Sequence, residues 1–160
     1  MSNQDPKVEE FFDEHYCLHL ATNGPDGPWS STVFYVRDGY DLFFISDPTT
    51  RHAKNIAASG RAAATVNSDV KHWTDVKGLQ MEGAVTVVDS ILERTKVFGS
   101  FLLRYPFMKD LFAAAAEAAK QVGHATEHTV YRFRPGRLYH IDQQLSPGVR
   151  REIPIVAATR

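Results

Sequence analysis

The sequence predicts a mainly β protein of the α+β class, with a small, largely antiparallel barrel of about six to seven strands and peripheral helices. Most predicted strands follow one another directly along the chain, and Asp38-Gly39 gives the strongest hairpin signal. Helical segments are inserted singly, whereas a doubly wound parallel sheet needs helices that alternate regularly with strands. Gly78 and Gly83 interrupt the longest predicted strand and favour a bend or bulge. A closed or partly closed barrel therefore fits the pattern best.

The individual elements follow from hydrophobic periodicity and from turn residues. Asp5 is suited to cap a helix over residues 5–15, which has proline at its first position. A second helix is expected to begin near Pro48, with Asp47 as its cap, and to stop at Gly60. Strands are predicted at 16–23, 30–37, 40–46, 61–67 and 77–89, helices at 90–105 and 106–122, and a final strand pair at 129–134 and 137–142 around Pro135-Gly136.

Composition and charge limit the class of protein. The chain has 160 residues, 43% hydrophobic and 23% charged, so a single domain over residues 1–160 is expected. The formal net charge of -1 gives no basic field and argues against a nucleic-acid partner. Cys17 is the only cysteine, which excludes an intrachain disulfide. No apolar stretch has membrane-spanning length and the polar start does not resemble a signal peptide, so we expect a cytoplasmic protein with no membrane contact.

The stretch from Asp41 to Ile56 runs from an apolar strand into a helix through Asp-Pro-Thr-Thr, and this corner is suited to an anion. Arg51, His52 and Lys54 lie directly behind the helix start. Each cation there costs roughly 0.3–1 kcal/mol against the helix dipole unless an anion is shared. A phosphate would meet amide donors, hydroxyls and a guanidinium together, which turns the conflict into attraction. A solvated charged turn is the alternative interpretation.

The order of these motifs resembles a known family. The passage LATNGPDGPWSSTVFYVRDGYDLFFISDPTTRHAKNIAASGRAAATVNSD, followed by W-x4-G-L-Q-M-E-G, is similar to the FMN-binding split β-barrel proteins related to pyridoxamine 5′-phosphate oxidase. The resemblance covers about residues 12–89 well and the later YRFRPGRLYHIDQ more loosely. Each motif alone is weak, and the ordered set is considerably more specific. The resemblance implies a split barrel that binds FMN.

The resemblance also implies site residues at the predicted anion corner. In the family, the end of the third strand and the start of the following helix hold the flavin phosphate. Ser46, Thr50 and Arg51 match that hydroxyl-hydroxyl-arginine pattern, and His52 stands where the oxidase has a lysine. An ordinary strand end and helix start is the competing interpretation of these residues, and we favour the phosphate site.

Further cofactor contacts are implied on other strands. The second strand contributes Ser31 and Val33, and the oxidase uses an arginine and a lysine on this strand where this chain has Ser31 and Val36. The resemblance places Gln80 near the flavin ring. Trp73 either stacks near that ring or covers a barrel end. Packing is the more common use of a tryptophan.

The implied function is that of an FMN-dependent oxidoreductase, usually a homodimer with flavin between its subunits, acting on a small-molecule substrate. The oxidase has an arginine and a histidine close together in its last strand region, whereas RFRPGRLYHIDQ has them at a different spacing, so pyridoxamine phosphate is not the expected substrate. A non-catalytic flavin, haem or deazaflavin protein on the same fold is the alternative. No catalytic residue is assigned. His124 to His128 spells the zinc-peptidase pattern H-x-x-E-H at a helix-to-strand transition, where the two imidazoles need not share a face, so no metal is predicted.

Overall fold

One curled sheet with peripheral helices forms the molecule, described by a computed structural model for residues 4–121 and 128–155. The strands are β1 (Cys17–Gly24), β2 (Gly27–Phe34), β3 (Val36–Asp38), β4 (Asp41–Ser46), β5 (Arg61–Asn67), β6 (Lys77–Val87), β7 (Thr129–Asp142) and β8 (Arg150–Glu152). The helices are α1 (Pro6–Glu14), α2 (Arg51–Ser59), α3 (Ile91–Arg104) and α4 (Met108–Gln121), with a short 3-10 turn at Trp73–Asp75. Every strand pairing is antiparallel.

The sheet forms a split barrel because its two outermost strands are consecutive in the chain. The strand order is β2-β1-β5-β6-β7-β4-β3, with β8 also paired to β7. Only Tyr35 separates β2 from β3. Two residue steps span at most about 7 Å, so the sheet must curl until its edges meet. The predicted barrel of largely antiparallel strands with peripheral helices is confirmed.

Tyr35 also corrects the prediction of one continuous strand at 30–37. β2 pairs with β1, whereas β3 pairs with β4, so the chain changes partner at Tyr35. The Tyr105 hydroxyl holds this break by donating to the Tyr35 carbonyl at 2.6 Å and accepting from its amide at 3.3 Å. Both rings are fully buried. The split is therefore braced by hydrogen bonds that replace those of a sheet.

The predicted turn at Pro135-Gly136 is wrong, because β7 continues through it as a single strand of 14 residues. Pro135 lies opposite Gly83, and the β6–β7 register shifts between Glu82 and Gly83. A proline has no amide for the ladder, and a bulge allows the strand to continue past it. The glycine is required here, since a Cβ on Gly83 would lie 2.0 Å from the Arg134 carbonyl oxygen.

The hydrophobic core has two layers, separated by the sheet. The barrel interior contains Phe12, Leu18, Leu20, Phe44, Leu79, Phe133 and Leu138 among its buried side chains. The second layer lies between the sheet and helix α3, and includes Val36, Phe43, Val97, Phe101, Tyr105, Met108 and Val130. Helix α1 buries Val8, Phe11 and Phe12 in the barrel interior. Asp5 caps it as predicted, accepting from the Lys7 amide at 2.9 Å.

Within the part of the chain that the structure describes, no helix has the length and apolar character needed to cross a bilayer.

Candidate functional site

The predicted anion corner lies where β4 ends and α2 begins, but the helix starts later than expected. It begins at Arg51 with Thr50 as its N-cap, rather than near Pro48. Asp47 caps a turn instead, because its carboxylate accepts from the Thr49 amide at 2.7 Å and from the Thr49 hydroxyl at 2.6 Å. The Thr50 side chain makes no capping hydrogen bond to the first turn. The amides of that turn are therefore left for another acceptor.

Three predicted site residues meet at this corner. The Ser46 hydroxyl lies 2.7 Å from His52 Nε2 and 3.3 Å from the Thr50 hydroxyl. Thr50 Oγ1 is 3.2 Å from the same imidazole nitrogen, and it donates to the Asp47 carbonyl at 2.8 Å. We call Ser46, Thr50 and His52 the hydroxyl-imidazole cluster. Its polar groups converge at the N-terminus of α2, as a phosphate site requires.

His52 has an electrostatic role different from that of a lysine. Its side chain is only 9% exposed, and this burial lowers the pKa of the imidazole below its usual value. Near neutral pH the ring is therefore uncharged and offers one N–H donor and one acceptor. A bound phosphate would favour the protonated ring, so anion binding and proton uptake at His52 are coupled.

We expect the melting temperature to fall as the pH is lowered from about 7.5 to about 5.5, because His52 must take up its proton in a buried position. A histidine whose pKa is lower in the folded than in the unfolded protein does not affect the free energy of unfolding above its unfolded pKa. As the pH falls from the unfolded pKa towards the folded pKa, the unfolded state takes up the proton more readily, so the folded protein loses stability. His52→Gln keeps hydrogen-bonding groups without a titrating ring, so its melting temperature should fall by less over the same pH range. Thermal unfolding followed by circular dichroism at each pH measures the difference.

His140 supplies the comparison, since burial also lowers the pKa of its imidazole. His140→Gln should remove a separate part of the same pH dependence. The carboxyls of Asp5 and Asp13 have lowered pKa values, so their contribution is lost only below about pH 4, outside this window. An unchanged pH profile in His52→Gln would contradict the burial argument.

Arg51 points away from the hydroxyl-imidazole cluster and towards the β1–β2 hairpin. One guanidinium nitrogen donates to the Asp26 carbonyl at 2.8 Å, and the group lies 4.5 Å from the centre of the Trp29 ring. Its Nε is buried and has no hydrogen-bond partner in the described part of the protein. An unpaired buried donor is costly, and a bound water or ion is one way in which it gains a partner.

The β2 residues show a second unpaired group. Ser31 and Val33 lie opposite Leu20 and Leu18, whose side chains fill the barrel interior, so both face inwards. The Ser31 hydroxyl is buried without a partner among the described residues. Two predicted contacts, Ser31 and Arg51, thus each carry an unsatisfied polar atom. Val36 lies in β3, outside this inward-facing row.

Next to the corner lies an apolar cavity of about 330 Å³. Val33 and Ser46 line it, so the structure brings these two predicted residues together across the split between β2 and β4. We call it the α3–α4 cavity, because residues of those two helices form one of its walls. They include Phe101, Met108 and Phe112. The sequence predicted the two helices at 90–105 and 106–122 but gave no indication of this space.

Gln80 and Trp73 are not brought to the corner. Gln80 is half-buried on the outer face of β6, between Thr65 of β5 and Tyr139 of β7. The strands β1 and β5 separate it from β2. Trp73 is 61% exposed in the short 3-10 turn, beside His72. Any flavin contact from these two residues would have to come from another surface than the corner.

Metal binding has no support in the part of the chain that is described. No group of three or more histidine, cysteine, aspartate or glutamate side chains is placed to hold an ion there. The H-x-x-E-H pattern lies mostly outside the described residues, which include only His128 of it. His15 and His19 have the same sequence spacing as the histidines of that pattern. Their rings have separate partners, the Phe11 carbonyl for His15 and the Thr32 hydroxyl for His19.

The residues present fit the phosphate end of FMN. The hydroxyl-imidazole cluster supplies donors at a helix N-terminus whose first turn has no side-chain cap. Ser31 and Arg51 each have a buried atom that lacks a partner among the described residues. The cluster offers polar groups of the kind that bind a phosphate, and the adjoining cavity has an apolar lining of the kind found in cofactor sites.

Comparisons with known proteins agree with the fold. The UPF0306 protein plu4501 of Photorhabdus laumondii is 26% identical over 92 residues, which are 56% of this chain and 63% of that protein. The matched segment therefore spans less than two thirds of this relative. Two solved structures share the fold at lower sequence identity. HutZ, the haem storage protein from Vibrio cholerae, is 21% identical, with a TM-score of 0.68 over 88% of this chain and 98% of that one.

A FAD-binding protein from Mesorhizobium loti is 13% identical, with a TM-score of 0.59 over 82% of this chain and 87% of that one. The family described as Pyridoxamine 5'-phosphate oxidase matches residues 4–142. That match includes the whole barrel up to the end of β7, together with the predicted anion corner. The chain therefore belongs to the pyridoxamine 5′-phosphate oxidase family.

Proposed function

We propose that this protein binds FMN and acts as an oxidoreductase on a small-molecule substrate. The observation that carries the proposal is the hydroxyl-imidazole cluster at the uncapped start of α2, with Ser46 lying 2.7 Å from His52 Nε2. Helix N-termini attract phosphate through unpaired amides and the helix dipole. Membership of the family supports FMN as the phosphate-bearing group.

Each residue has a distinct part in holding the phosphate. Ser46 would donate its hydroxyl hydrogen, Thr50 would turn to the phosphate the hydroxyl hydrogen that it gives to the Asp47 carbonyl, and His52 would donate from Nε2 and gain its charge only when the anion is present. Arg51 has an unused donor at Nε and would add the only permanent cation of this set. Bound flavin supplies hydride and single-electron transfer, while the protein holds it and tunes its surroundings.

The substrate is proposed to differ from pyridoxamine phosphate. Arg137 is exposed and lies 3.7 Å from Glu82, whereas His140 is 5% exposed and lies 3.3 Å from an Arg151 nitrogen. Alternation along β7 places these two side chains on opposite faces of the sheet. They are therefore not arranged as a joint recognition site for one phosphate-bearing substrate.

Turnover tests this proposal. The protein loaded with FMN should oxidise NADH or NADPH faster than the same concentration of free FMN, with oxygen or an added dye as the electron acceptor. The nicotinamide absorbance measures the rate, and the protein without FMN is the control. A protein that retains FMN but shows no turnover with either nicotinamide would support the flavin carrier instead of the oxidoreductase.

Haem binding is a second candidate, favoured by His128. This histidine lines the apolar α3–α4 cavity, and its ring centre lies 4.8 Å from that of Phe112. Haem proteins commonly bind iron through a histidine beside an apolar pocket. The likeness to HutZ adds support at the level of the fold. Titration with haemin should then give a Soret band that His128→Ala loses and His72→Ala keeps.

We also propose a homodimer with flavin between its subunits. Large apolar side chains are exposed on α3 and in the 3-10 turn, with Leu92 82%, Leu103 86% and Trp73 61% exposed. A partner subunit that covered these side chains would remove their apolar surface from water. Light scattering during size exclusion should give twice the monomer mass of 18.0 kDa, and a monomer at all concentrations would exclude this arrangement.

A further inference from the structure

The α3–α4 cavity has a shape and chemistry that the phosphate corner does not explain. Its volume of about 330 Å³ lies within the range of small-molecule sites, about 300–1,000 Å³. It is larger than the voids left by ordinary core packing, which rarely exceed a water molecule. The space beside the two helices is therefore large enough for a small-molecule ligand.

Aromatic and thioether side chains form its walls. Phe34 comes from β2, Phe101 from α3, and Met108 and Phe112 from the start of α4. Ring faces and edges favour a flat aromatic ligand through offset and edge-to-face contacts. Methionine adds sulfur contacts and adapts its shape to the ligand.

The charges of the lining favour an uncharged ligand over an anionic one. None of the described lining residues is a lysine or an arginine, so an anion would find no cation there. Asp47 is the only carboxylate in that lining, and it already accepts two hydrogen bonds from Thr49. Moving an unpaired charge into such surroundings is costly. An uncharged molecule fits best.

We propose that the α3–α4 cavity binds a small uncharged aromatic compound as the substrate presented to the cofactor. The position of Ser46 carries the link, since this residue belongs to the hydroxyl-imidazole cluster and also lines the cavity. The role as substrate rests on the proposed FMN function, whereas binding in the cavity does not.

The test uses N-phenyl-1-naphthylamine, an uncharged probe whose fluorescence rises when it enters apolar surroundings. Ala115 lines the cavity and is half-buried, so Ala115→Phe places a ring in the space that the probe needs. Ala114 is its neighbour on α4, is exposed and does not line the cavity. Ala114→Phe therefore adds the same ring to the same helix without filling the cavity.

We expect the native protein and Ala114→Phe to bind the probe with the same dissociation constant, and Ala115→Phe to bind it at least about tenfold more weakly. The melting temperature of each variant checks that the fold is kept. Equal probe affinity in all three proteins would overturn the proposal, because the probe would then bind elsewhere.

FMN titration of the same proteins distinguishes failure of this proposal from failure of the proposed FMN function. If Ala115→Phe loses the probe and keeps FMN, the cavity is distinct from the cofactor site and the proposal stands. If it loses both, the flavin ring occupies the cavity and the proposal is overturned. If none of the proteins binds FMN, the FMN function fails, while the loss of probe in Ala115→Phe still establishes a site for aromatic ligands.

Discussion

Replacing Arg51 by alanine is expected to weaken FMN binding by roughly 10- to 150-fold, because a charge-assisted hydrogen bond to phosphate contributes about 1.5–3 kcal/mol. In the structure the guanidinium lies against Trp29 and donates to the Asp26 carbonyl, with its Nε buried and unpaired. A phosphate at the start of α2 would give that nitrogen a partner. Quenching of flavin fluorescence during titration gives the dissociation constant.

Arg61→Ala is the matched control, because Arg61 follows the other end of α2 and is exposed. It removes the same charge from the protein while leaving the corner intact, so its FMN affinity should stay close to that of the native protein. Equal affinities for Arg51→Ala and Arg61→Ala would remove Arg51 from the cofactor site. Its role would then be limited to bracing Trp29 on the hairpin.

Gly83→Ala is expected to destabilise the fold by about 3 kcal/mol, at the upper end of the usual cost of overpacking. The added Cβ would lie 2.0 Å from the Arg134 carbonyl oxygen and 2.9 Å from Pro135 Cα. Both are backbone atoms, so the neighbouring strand itself must move. For a chain of this length the melting temperature should fall by roughly 6–12 °C.

Gly99→Ala, the same substitution at another position, is expected to have the opposite effect on stability. Gly99 lies inside α3, and nothing is within 4 Å of its added Cβ. Alanine should stabilise the helix by roughly 0.5–1 kcal/mol. Two-state unfolding in urea measures both variants. If Gly83→Ala unfolds at the same denaturant concentration as the native protein, the bulge does not require a glycine.

The elements that sequence predicted well are those set by local chemistry. Asp38-Gly39 turns β3 into β4, with Gly39 at a φ of 60°, and Gly60 ends α2 at a φ of 66°. Both conformations are nearly restricted to glycine, so the residue type alone identifies them. The Asp5 cap of α1 follows from the same kind of local preference.

Features that depend on long-range pairing were missed. An unbroken apolar run from Val33 to Val36 crosses Tyr35, so no local signal marks the change of strand partner there. Pro135-Gly136 reads as a turn, and only its pairing with Gly83 across the sheet shows a bulge instead. The observed start of α2 differs from the predicted one because Asp47 can cap either a helix or a turn, and the sequence does not distinguish the two.

The candidate site divides in the same way. Ser46, Thr50 and His52, which the resemblance implied, are close in sequence and meet in the structure. Gln80 was placed near the flavin by the resemblance, and it lies on the outer face of β6, away from the corner. The α3–α4 cavity joins Phe34 to Phe112, and contacts between such distant parts of a chain leave no local pattern.

The visible absorption spectrum of the purified protein tests the central claim most directly. Excess FMN is added, and what does not bind is removed by gel filtration. If FMN binds at the start of α2, the protein fraction keeps the two-banded flavin spectrum, and Arg51→Ala keeps less of it than Arg61→Ala does. A native protein that emerges colourless after loading would contradict the claim.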